Sequence, residues 1–207
     1  MKYQIIYADP PWAYSDSCNA GSRGAAHKYD VMALEEICAL PVDMISEKDS
    51  LLLMWYTPPF HKEAVQVAES WGFKVINGSL FDWIKLIPRY EDHIKLAIKK
   101  GQLQSPNDFV ELLNKITAMG MGNYSRANSE DVLIAKKGKG VPRTNAGVKQ
   151  VVYAPRGRHS EKPREVRTAI ETLFGNTSKV ELFARAQNEG WDVWGNEVLS
   201  NVPLEYL

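Results

Sequence analysis

A chain of 207 residues that is 44% hydrophobic and 24% charged has the composition of a globular domain able to bury its own core. Twenty-five basic side chains balance twenty-five acidic ones, which argues against a binder of nucleic acid that relies on strong overall positive charge. No apolar run approaches the roughly 20 residues that cross a bilayer, and the two cysteines, Cys18 and Cys38, lack metal-ligand spacing. We predict a cytoplasmic protein with reduced thiols and no metal.

The first predicted element is a short buried strand over residues 3–7, rich in β-branched and aromatic side chains. It runs directly into Asp9-Pro10-Pro11-Trp12. Pro10 lacks an amide hydrogen and Pro11 confines Pro10 to extended geometry, so sheet pairing ends here in a stiff loop. Asp9 then lies at the carboxyl end of a strand, where ligands bind in open α/β sheets. The alternative is a Pro-rich turn that carries a core tryptophan.

Strands and helices alternate along the rest of the chain, after a polar loop around Gly21 to Gly24. Apolar spacing and Pro or Gly boundaries predict helices at 33–40, 60–71 and 162–174, with a helix-like segment at 185–190 and a turn at 192–197. A buried strand is predicted at 51–56, a strand or hairpin at 74–85, further strands at 131–138 and 179–184, and a short edge strand at 151–155. This alternation predicts an α/β fold with a mostly parallel, doubly wound sheet in a single domain.

Residues 88–118 interrupt the alternation with two predicted helices, at 91–100 and 107–118, separated by Gln104-Ser105-Pro106. We interpret this segment as an insertion on the ligand side of the sheet and as the candidate element for target recognition.

A basic segment follows the insertion. Residues 136–167 contain ten Lys and Arg side chains against two Glu. Such a segment is suited to following phosphates, and Lys136, Lys137, Arg143 and Arg156 are its candidate nucleic-acid contacts. The alternative is a solvated loop whose charge is balanced by acids elsewhere.

The Asp-Pro-Pro-Trp tetrapeptide resembles the catalytic motif of the enzymes that methylate exocyclic amines of nucleic-acid bases. Its tryptophan in the fourth position is similar to the MT-A70 family of adenine-N6 methyltransferases. Three later segments resemble motifs of that family in the family's order: GMGNYSRANSEDVLIAKKG at 120–138, RHSEKPREVRTAIETL at 158–173 and KVELFARAQNEGWDVWGNE at 179–197. A single motif is weak evidence, whereas four in order are strong evidence.

The resemblance implies a Rossmann-like fold with S-adenosylmethionine as the methyl donor. The order is permuted, because the catalytic motif precedes the cofactor motif. The residues that match cofactor-binding positions of the family are Asp9, Lys162, Glu181, Arg185, Asn188, Asn196 and Glu197. The alternative to the family match is that Glu181 and Arg185 form a surface ion pair and that Asn196-Glu197 is a turn with an exposed acid.

The catalytic residues implied by the resemblance are Asp9, Pro10, Pro11 and Trp12. Adenine N6 is a poor nucleophile because its lone pair is delocalised into the ring. Asp9 and the carbonyl of Pro10 can accept both N6 hydrogens and stabilise a tetrahedral amine, while Trp12 stacks on the base. A sulfonium donor requires no enzyme nucleophile, and neither cysteine lies in an activating pattern.

Tyr124, Arg126 and Glu130 are an aromatic, a cation and an acid just before a predicted strand. They are candidates to clamp the flipped base or its backbone. The alternative is a helical ion pair between Arg126 and Glu130, which are spaced i, i+4.

The compact chain favours a bacterial or phage enzyme that acts on DNA, which requires flipping the adenine out of the duplex. Two alternatives remain at this point. One is the same chemistry on RNA, and the other is a catalytically silent nucleic-acid-binding subunit of a larger methyltransferase.

Overall fold

A computed structural model describes residues 1–13, 31–120, 124–157 and 161–204. Cys18, the polar loop predicted at Gly21 to Gly24 and the His159-Ser160 part of the third motif lie outside these ranges. The chain divides into two compact units. The first comprises Met1–Leu80, Asp131–Thr144 and Phe174–Leu207, and the second Phe81–Glu130 and Asn145–Leu173. That the whole chain is one methyltransferase domain with a helical insertion stays a prediction.

The described residues form seven strands and six helices. The strands are β1 (Tyr3–Ala8), β2 (Ser46–Tyr56), β3 (Lys74–Leu86), β4 (Ser129–Lys137), β5 (Val151–Pro155), β6 (Lys179–Leu182) and β7 (Asp192–Trp194). The helices are α1 (Leu34–Ala39), α2 (Val42–Ile45), α3 (His61–Ser70), α4 (Tyr90–Lys99), α5 (Pro106–Ile116) and α6 (Arg164–Phe174). A 3₁₀ turn at Pro58–Phe60 precedes α3.

The sheet of the first unit has the strand order β3-β4-β2-β1-β6-β7, and β3 and β4 also continue into the second unit. The β1/β2, β1/β6 and β6/β7 pairs are parallel, whereas β2/β4 is antiparallel. The predicted α/β class with a mostly parallel sheet is confirmed.

Strand β1 is central, and its sequence explains why. Ile5, Ile6, Tyr7 and Ala8 are all at most 1% exposed, as expected for a parallel strand that is covered on both faces. Ala8 pairs with Leu182 of β6, and the Asp9 amide donates to the Leu182 carbonyl at 3.4 Å. The first strand and the last motif of the chain therefore end side by side.

One face of this sheet packs against α1 and α3. Ala64 and Val67 of α3, Ile37 of α1 and Leu52 of β2 are fully buried in one hydrophobic cluster. The indole N–H of Trp71, at the end of α3, donates to the Ile37 carbonyl at 2.9 Å. This bond ties the two helices together.

The second unit contains the predicted pair of helices. Ser105 caps α5 and accepts from the Asp108 amide, and Pro106 occupies the first turn, so the predicted boundary is confirmed. The later half of β3 pairs in parallel with β5, which is the predicted edge strand. Helix α6 buries Val166 and Ile170, as its periodicity predicts.

Two sequence expectations near the C-terminus are wrong. Residues 185–190 form bends and turns rather than a helix, and Asp192–Trp194 is a strand rather than part of a turn. The local cause is Phe183, whose φ of 61° ends β6 at Leu182 and redirects the backbone. An aromatic residue in this region of φ/ψ space is held there by its packing, which no local pattern reveals.

A buried hydrogen bond on the other face of the sheet gives a test of this core. The Trp55 indole N–H donates to the Tyr7 hydroxyl, and both side chains are about 1% exposed. Tyr7→Phe removes this acceptor and is expected to lower the free energy of unfolding by about 1–3 kcal/mol in urea denaturation. Tyr153→Phe is the control, because Tyr153 is 51% exposed on edge strand β5. An equal loss of unfolding free energy in both variants would show that the Trp55–Tyr7 hydrogen bond does not stabilise the core.

Candidate active site

The loop after β1 is fixed by its own backbone. The Trp12 amide donates to the Pro10 carbonyl at 2.9 Å, and the Met32 amide donates to the Pro11 carbonyl at 3.1 Å. Pro10 is buried, and Asp9 is partly exposed at the carboxyl end of β1. The predicted end of β1 just before the two prolines, with Asp9 at its carboxyl end, agrees with this geometry.

Trp12 is part of the core rather than an open platform. The residue is 8% exposed, and its indole N–H donates to the Trp55 carbonyl at 3.2 Å. Its ring stacks on Phe60, with centroids 5.6 Å apart and an angle of 17° between the planes. Phe60 therefore covers one face of the indole, and Trp12 anchors the loop. Stacking of Trp12 on a substrate base stays a prediction.

The segments after β6 and β7 approach each other closely beside Asp9. Phe183 contacts Trp194 edge to face, and the Ala184 amide donates to the Trp194 carbonyl at 2.9 Å. A Cβ on Gly195 would lie 2.3 Å from the Ala184 carbonyl oxygen, so only glycine fits without a backbone shift. This close approach brings together the predicted cofactor residues of both segments.

The polar groups of these segments form two pairs. Glu181 is 9% exposed and accepts from the Asn188 side-chain amide at 3.3 Å. The Arg185 Nε lies 3.5 Å from a carboxylate oxygen of Glu197. Arg185 is partly exposed, while Asn196 and Glu197 are exposed. The structure thus brings Asp9, Arg185, Asn196 and Glu197 to the carboxyl ends of three neighbouring strands in the first unit, with Glu181 one residue before the end of β6. Asn188 instead lies beside Tyr3 and Asp192, where β1 and β7 begin.

Glu130 and Lys162 belong to the second unit, where they are partners. A Glu130 carboxylate oxygen lies 2.5 Å from the Lys85 ammonium, and the other lies 3.2 Å from Lys162. Burial raises the pKa of Glu130, but the Lys162 and Lys85 ammonium groups outweigh it and hold that pKa below its usual value. The open alternative of an Arg126–Glu130 pair is not the arrangement observed, because residues 124–128 are not helical and Glu130 bonds the two lysines.

Tyr124 and Arg126 are fully on the surface of the second unit, as is Arg156. Their exposure is compatible with nucleic-acid contact, which stays a prediction. Arg156 is also fixed in place, since its amide donates to the Leu86 carbonyl at 3.0 Å.

Three of the predicted nucleic-acid contacts lie at the end of the first unit's sheet where β2 and β6 begin, whereas Asp9 lies at the end where β1 stops. Lys137 pairs with Ser50 near the beginning of β2, and its ammonium bonds Asp43. Lys136 is its neighbour on β4, and Arg143 precedes Thr144, which packs against Gly175 before β6. At about 3.4 Å per strand residue, Lys137 lies roughly 15 Å or more from Asp9. The structure does not join these three residues to the Asp9 site.

Sequence reasoning missed three contributors. Lys85 pairs with Glu130, Phe60 covers Trp12, and Gly195 permits the close approach to Ala184. A signal existed for Lys85, because it shares a strand face with the buried Trp83 two residues earlier, an unusual place for a lysine. Phe60 and Gly195 carried no such signal, because their roles arise from tertiary contacts.

Within the described ranges, no group of His, Cys, Asp and Glu side chains has the geometry of a metal site. No helix in those ranges has both the length and the apolar character to span a membrane.

Comparison with known proteins identifies the family. The model of the MT-A70 family matches residues 3–197. The chain belongs to the MT-A70 family. It is therefore a methyltransferase, and the resemblance of its four motifs is confirmed at the level of the whole chain.

Relatives of this MT-A70 member include proteins of bacteria, plants and animals. It is 34% identical to the type II methyltransferase M.MunI of a Mycoplasma species, over 97% of this chain and 79% of that protein. It is 27% identical to a putative N(6)-adenosine-methyltransferase MT-A70-like protein of Medicago truncatula and 23% identical to the human N(6)-adenine-specific methyltransferase METTL4. The chain spans only 27% and 39% of those two relatives.

The Glu130 ion pairs predict a pH-dependent contribution to stability. A carboxylate whose pKa is lowered on folding stabilises the protein above its unfolded pKa, near 4.5, and this contribution is lost as the pH falls through the folded pKa. Glu130→Gln should therefore lower the free energy of unfolding by about 3 kcal/mol at pH 7 and by clearly less at pH 3, measured by urea denaturation. Glu111→Gln, on the exposed side of α5, is the control. A difference between wild type and Glu130→Gln that does not shrink on acidification would refute the assignment.

Proposed function

We propose that this protein transfers a methyl group from S-adenosylmethionine to the N6 amine of adenine in DNA, after the base has been flipped out of the duplex. The observation that carries the proposal is the position of Asp9. In a chain of the MT-A70 family, its carboxylate lies at the carboxyl end of β1, directly beside the end of β6 and the polar groups that follow.

Asp9 and Pro10 act on the amine by accepting its two hydrogens. These two hydrogen bonds stabilise a tetrahedral N6 nitrogen, and its lone pair then points out of the ring plane towards the methyl group. The Pro10 carbonyl oxygen accepts a hydrogen bond from the Trp12 amide and retains a second lone pair for the substrate. The proton lost from the methylated amine passes to solvent or to the Asp9 carboxylate.

Trp12 contributes by holding these acceptors still. Its indole is fixed by the Trp55 carbonyl and by Phe60, and the two prolines remove backbone freedom from the loop. Acceptors that are fixed before the substrate binds need not reorganise during the reaction, which is the principal advantage of an enzyme over water in this chemistry.

The donor set fits S-adenosylmethionine, which supplies an electrophilic methyl group when bound. The ribose hydroxyls require paired donors and acceptors, and the Arg185–Glu197 pair with Asn196 provides them. Glu181, which is buried and bonded to Asn188, holds the latter side chain in place. Asp9 suits the ammonium group of the methionine moiety. That Lys162 binds the donor stays a prediction from the family resemblance.

DNA is favoured over RNA by the relative named type II methyltransferase M.MunI. The alignment with M.MunI covers 97% of this chain and 79% of M.MunI. The plant and human relatives match only a minor part of their lengths. Methylation of RNA adenine is the second candidate, because the Medicago relative is named an adenosine methyltransferase. An intact Asp9-Pro10-Pro11-Trp12 loop speaks against a silent partner subunit.

Asp9→Ala tests the catalytic assignment. We expect methyl transfer to fall below detection, because both the acceptor and its charge are lost, while affinity for S-adenosylhomocysteine changes by no more than about tenfold, ~1.4 kcal/mol. Transfer is measured with a radiolabelled donor and affinity by calorimetry. Glu35→Gln on α1 is the matched control, because that acid is exposed. Normal turnover in Asp9→Ala would remove Asp9 from the mechanism.

The substrate assignment is tested by offering duplex DNA, single-stranded DNA and RNA of matched sequence in parallel. Label is expected in adenine of DNA, and a substituted 2-aminopurine at the target should brighten as the base leaves the stack. Label in RNA alone would replace DNA with RNA as the substrate. Label in none of the three, with normal donor binding, would instead favour the silent partner.

A further inference from the structure

We propose that the outer edge of β5 binds a strand of nucleic acid, with Tyr153 stacking on a base and Lys149 neutralising a phosphate. The inference rests on the proposed function and deepens it, because it names a substrate contact in the second unit. Both residues lie outside the four segments that resemble the family, so neither takes a role from that resemblance.

One side of β5 has no neighbouring strand in the part of the sheet that the structure describes. The strand is the outermost of the seven, and its partner is β3. On the β3 side, the Arg156 amide donates to the Leu86 carbonyl at 3.0 Å, and the Gln150 carbonyl also accepts a hydrogen bond from β3. Because alternate residues of a strand bond opposite neighbours, the backbone N–H and C=O groups of Val151 and Tyr153 point away from β3. We call these two residues the β5 edge.

The side chains of the β5 edge are exposed as well. Val151 is 45% and Tyr153 51% exposed, and both lie on one face of the sheet because they are two residues apart. Eight of the twelve large hydrophobic side chains exposed in the described ranges belong to the second unit, which is less than half of the chain. An aromatic ring beside outward amides suits a nucleotide, which offers a flat base to the ring and phosphate oxygens to the amides.

The charges around β5 favour a polyanion. Lys149, two residues before the strand, and Arg156, directly after it, are both exposed, and no acid lies between them in the sequence. The nearest acid on β3 is Asp82, whose carboxylate accepts from the Gln150 side chain at 2.8 Å, and Glu161 follows farther along the chain. The second unit as a whole has four more basic than acidic side chains. The charge of this unit therefore complements phosphates.

The same charges disfavour a second copy of the chain as the occupant. Two copies that paired through identical edges would be related by a two-fold axis, so the two strands would run antiparallel. In the register centred on Val152, Lys149 of one copy would come close to Arg156 of the other. Like charges at both ends of so short a pairing oppose it. Two phosphates would instead neutralise the same two side chains.

The surface is tested on the full chain by the fluorescence anisotropy of a fluorescein-labelled single-stranded DNA oligonucleotide at several salt concentrations. Tyr153→Ala should weaken binding by at least about fivefold at every salt concentration, because the ring is lost while the charge is unchanged. Tyr153→Phe keeps the ring and should stay within about twofold of the wild type. Lys149→Gln should reduce the slope of log affinity against log salt by about 0.7, as expected for one phosphate of a single strand. Lys48→Gln, at an exposed lysine of the first unit, is the matched control and should keep the slope.

Donor binding shows whether an affected variant is still folded. Tyr153→Ala should keep its affinity for S-adenosylhomocysteine within about twofold of the wild type. Tyr153→Thr, which retains strand propensity without the ring, replaces the alanine variant if that variant does not fold. Unchanged oligonucleotide affinity in the folded variant without the ring, or a wild-type salt slope in Lys149→Gln, would overturn the proposal. Methyl transfer by the wild type would continue in either case, so the proposed function would stand.

Sedimentation velocity distinguishes the two occupants. The expected result is a monomer at the concentrations of the binding experiment. A wild-type dimer that Tyr153→Ala dissociates, with unchanged oligonucleotide affinity, would assign the β5 edge to a second copy and overturn the proposal. A wild type that methylates no nucleic acid, but whose oligonucleotide affinity depends on Tyr153, would remove the proposed function and support the binding surface.

Discussion

The parallel pairing of β1 with β6 is the contact on which the Asp9 site depends. Ala8 and Leu182 are opposite each other at the carboxyl ends of the two strands, and the Asp9 amide bonds the Leu182 carbonyl. More than 170 residues separate these segments in the sequence. The pairing is stable because both strands are buried, with Ile5, Ile6 and Val180 fully removed from solvent. A slip of one residue in this register would turn every side chain of the strand to the other face, so the core fixes the register.

Rigidity at this junction is built from large aromatic side chains around a small loop. Trp12 is stacked on Phe60 and bonded to the Trp55 carbonyl, and Phe183 is held against Trp194. These contacts hold backbone conformations that are costly in isolation, such as the positive φ of Phe183. The tryptophan of the tetrapeptide thus has a structural reason for being there that is separate from any contact with a substrate.

Charge is divided between the two units in a way that the neutral total conceals. The second unit carries thirteen Lys and Arg against nine Asp and Glu, and the first carries twelve against sixteen. Within the second unit, the Glu130 carboxylate between Lys85 and Lys162 shows how a buried acid remains ionised when two cations surround it. The basic stretch that is continuous along the chain is divided between the two units, and β4 carries Lys136 and Lys137 to the end of the first unit's sheet away from Asp9.

The amino-acid sequence by itself determined the alternation of strands and helices and the two helices of the 88–118 segment, because these depend on local periodicity. It also determined where β1 ends, because proline geometry is local. The family followed from four short motifs in a fixed order. Only the tertiary structure decided which of the candidate residues belong together. Lys162 and Glu130 were assigned separate roles but share a salt bridge, Trp12 turned out to be covered by Phe60, and residues 185–190 lost their predicted helix to the turn at Phe183. Burial and pairing act between residues that are distant along the chain, so the identity of a residue's partner is set by the packed fold rather than by its neighbours in sequence.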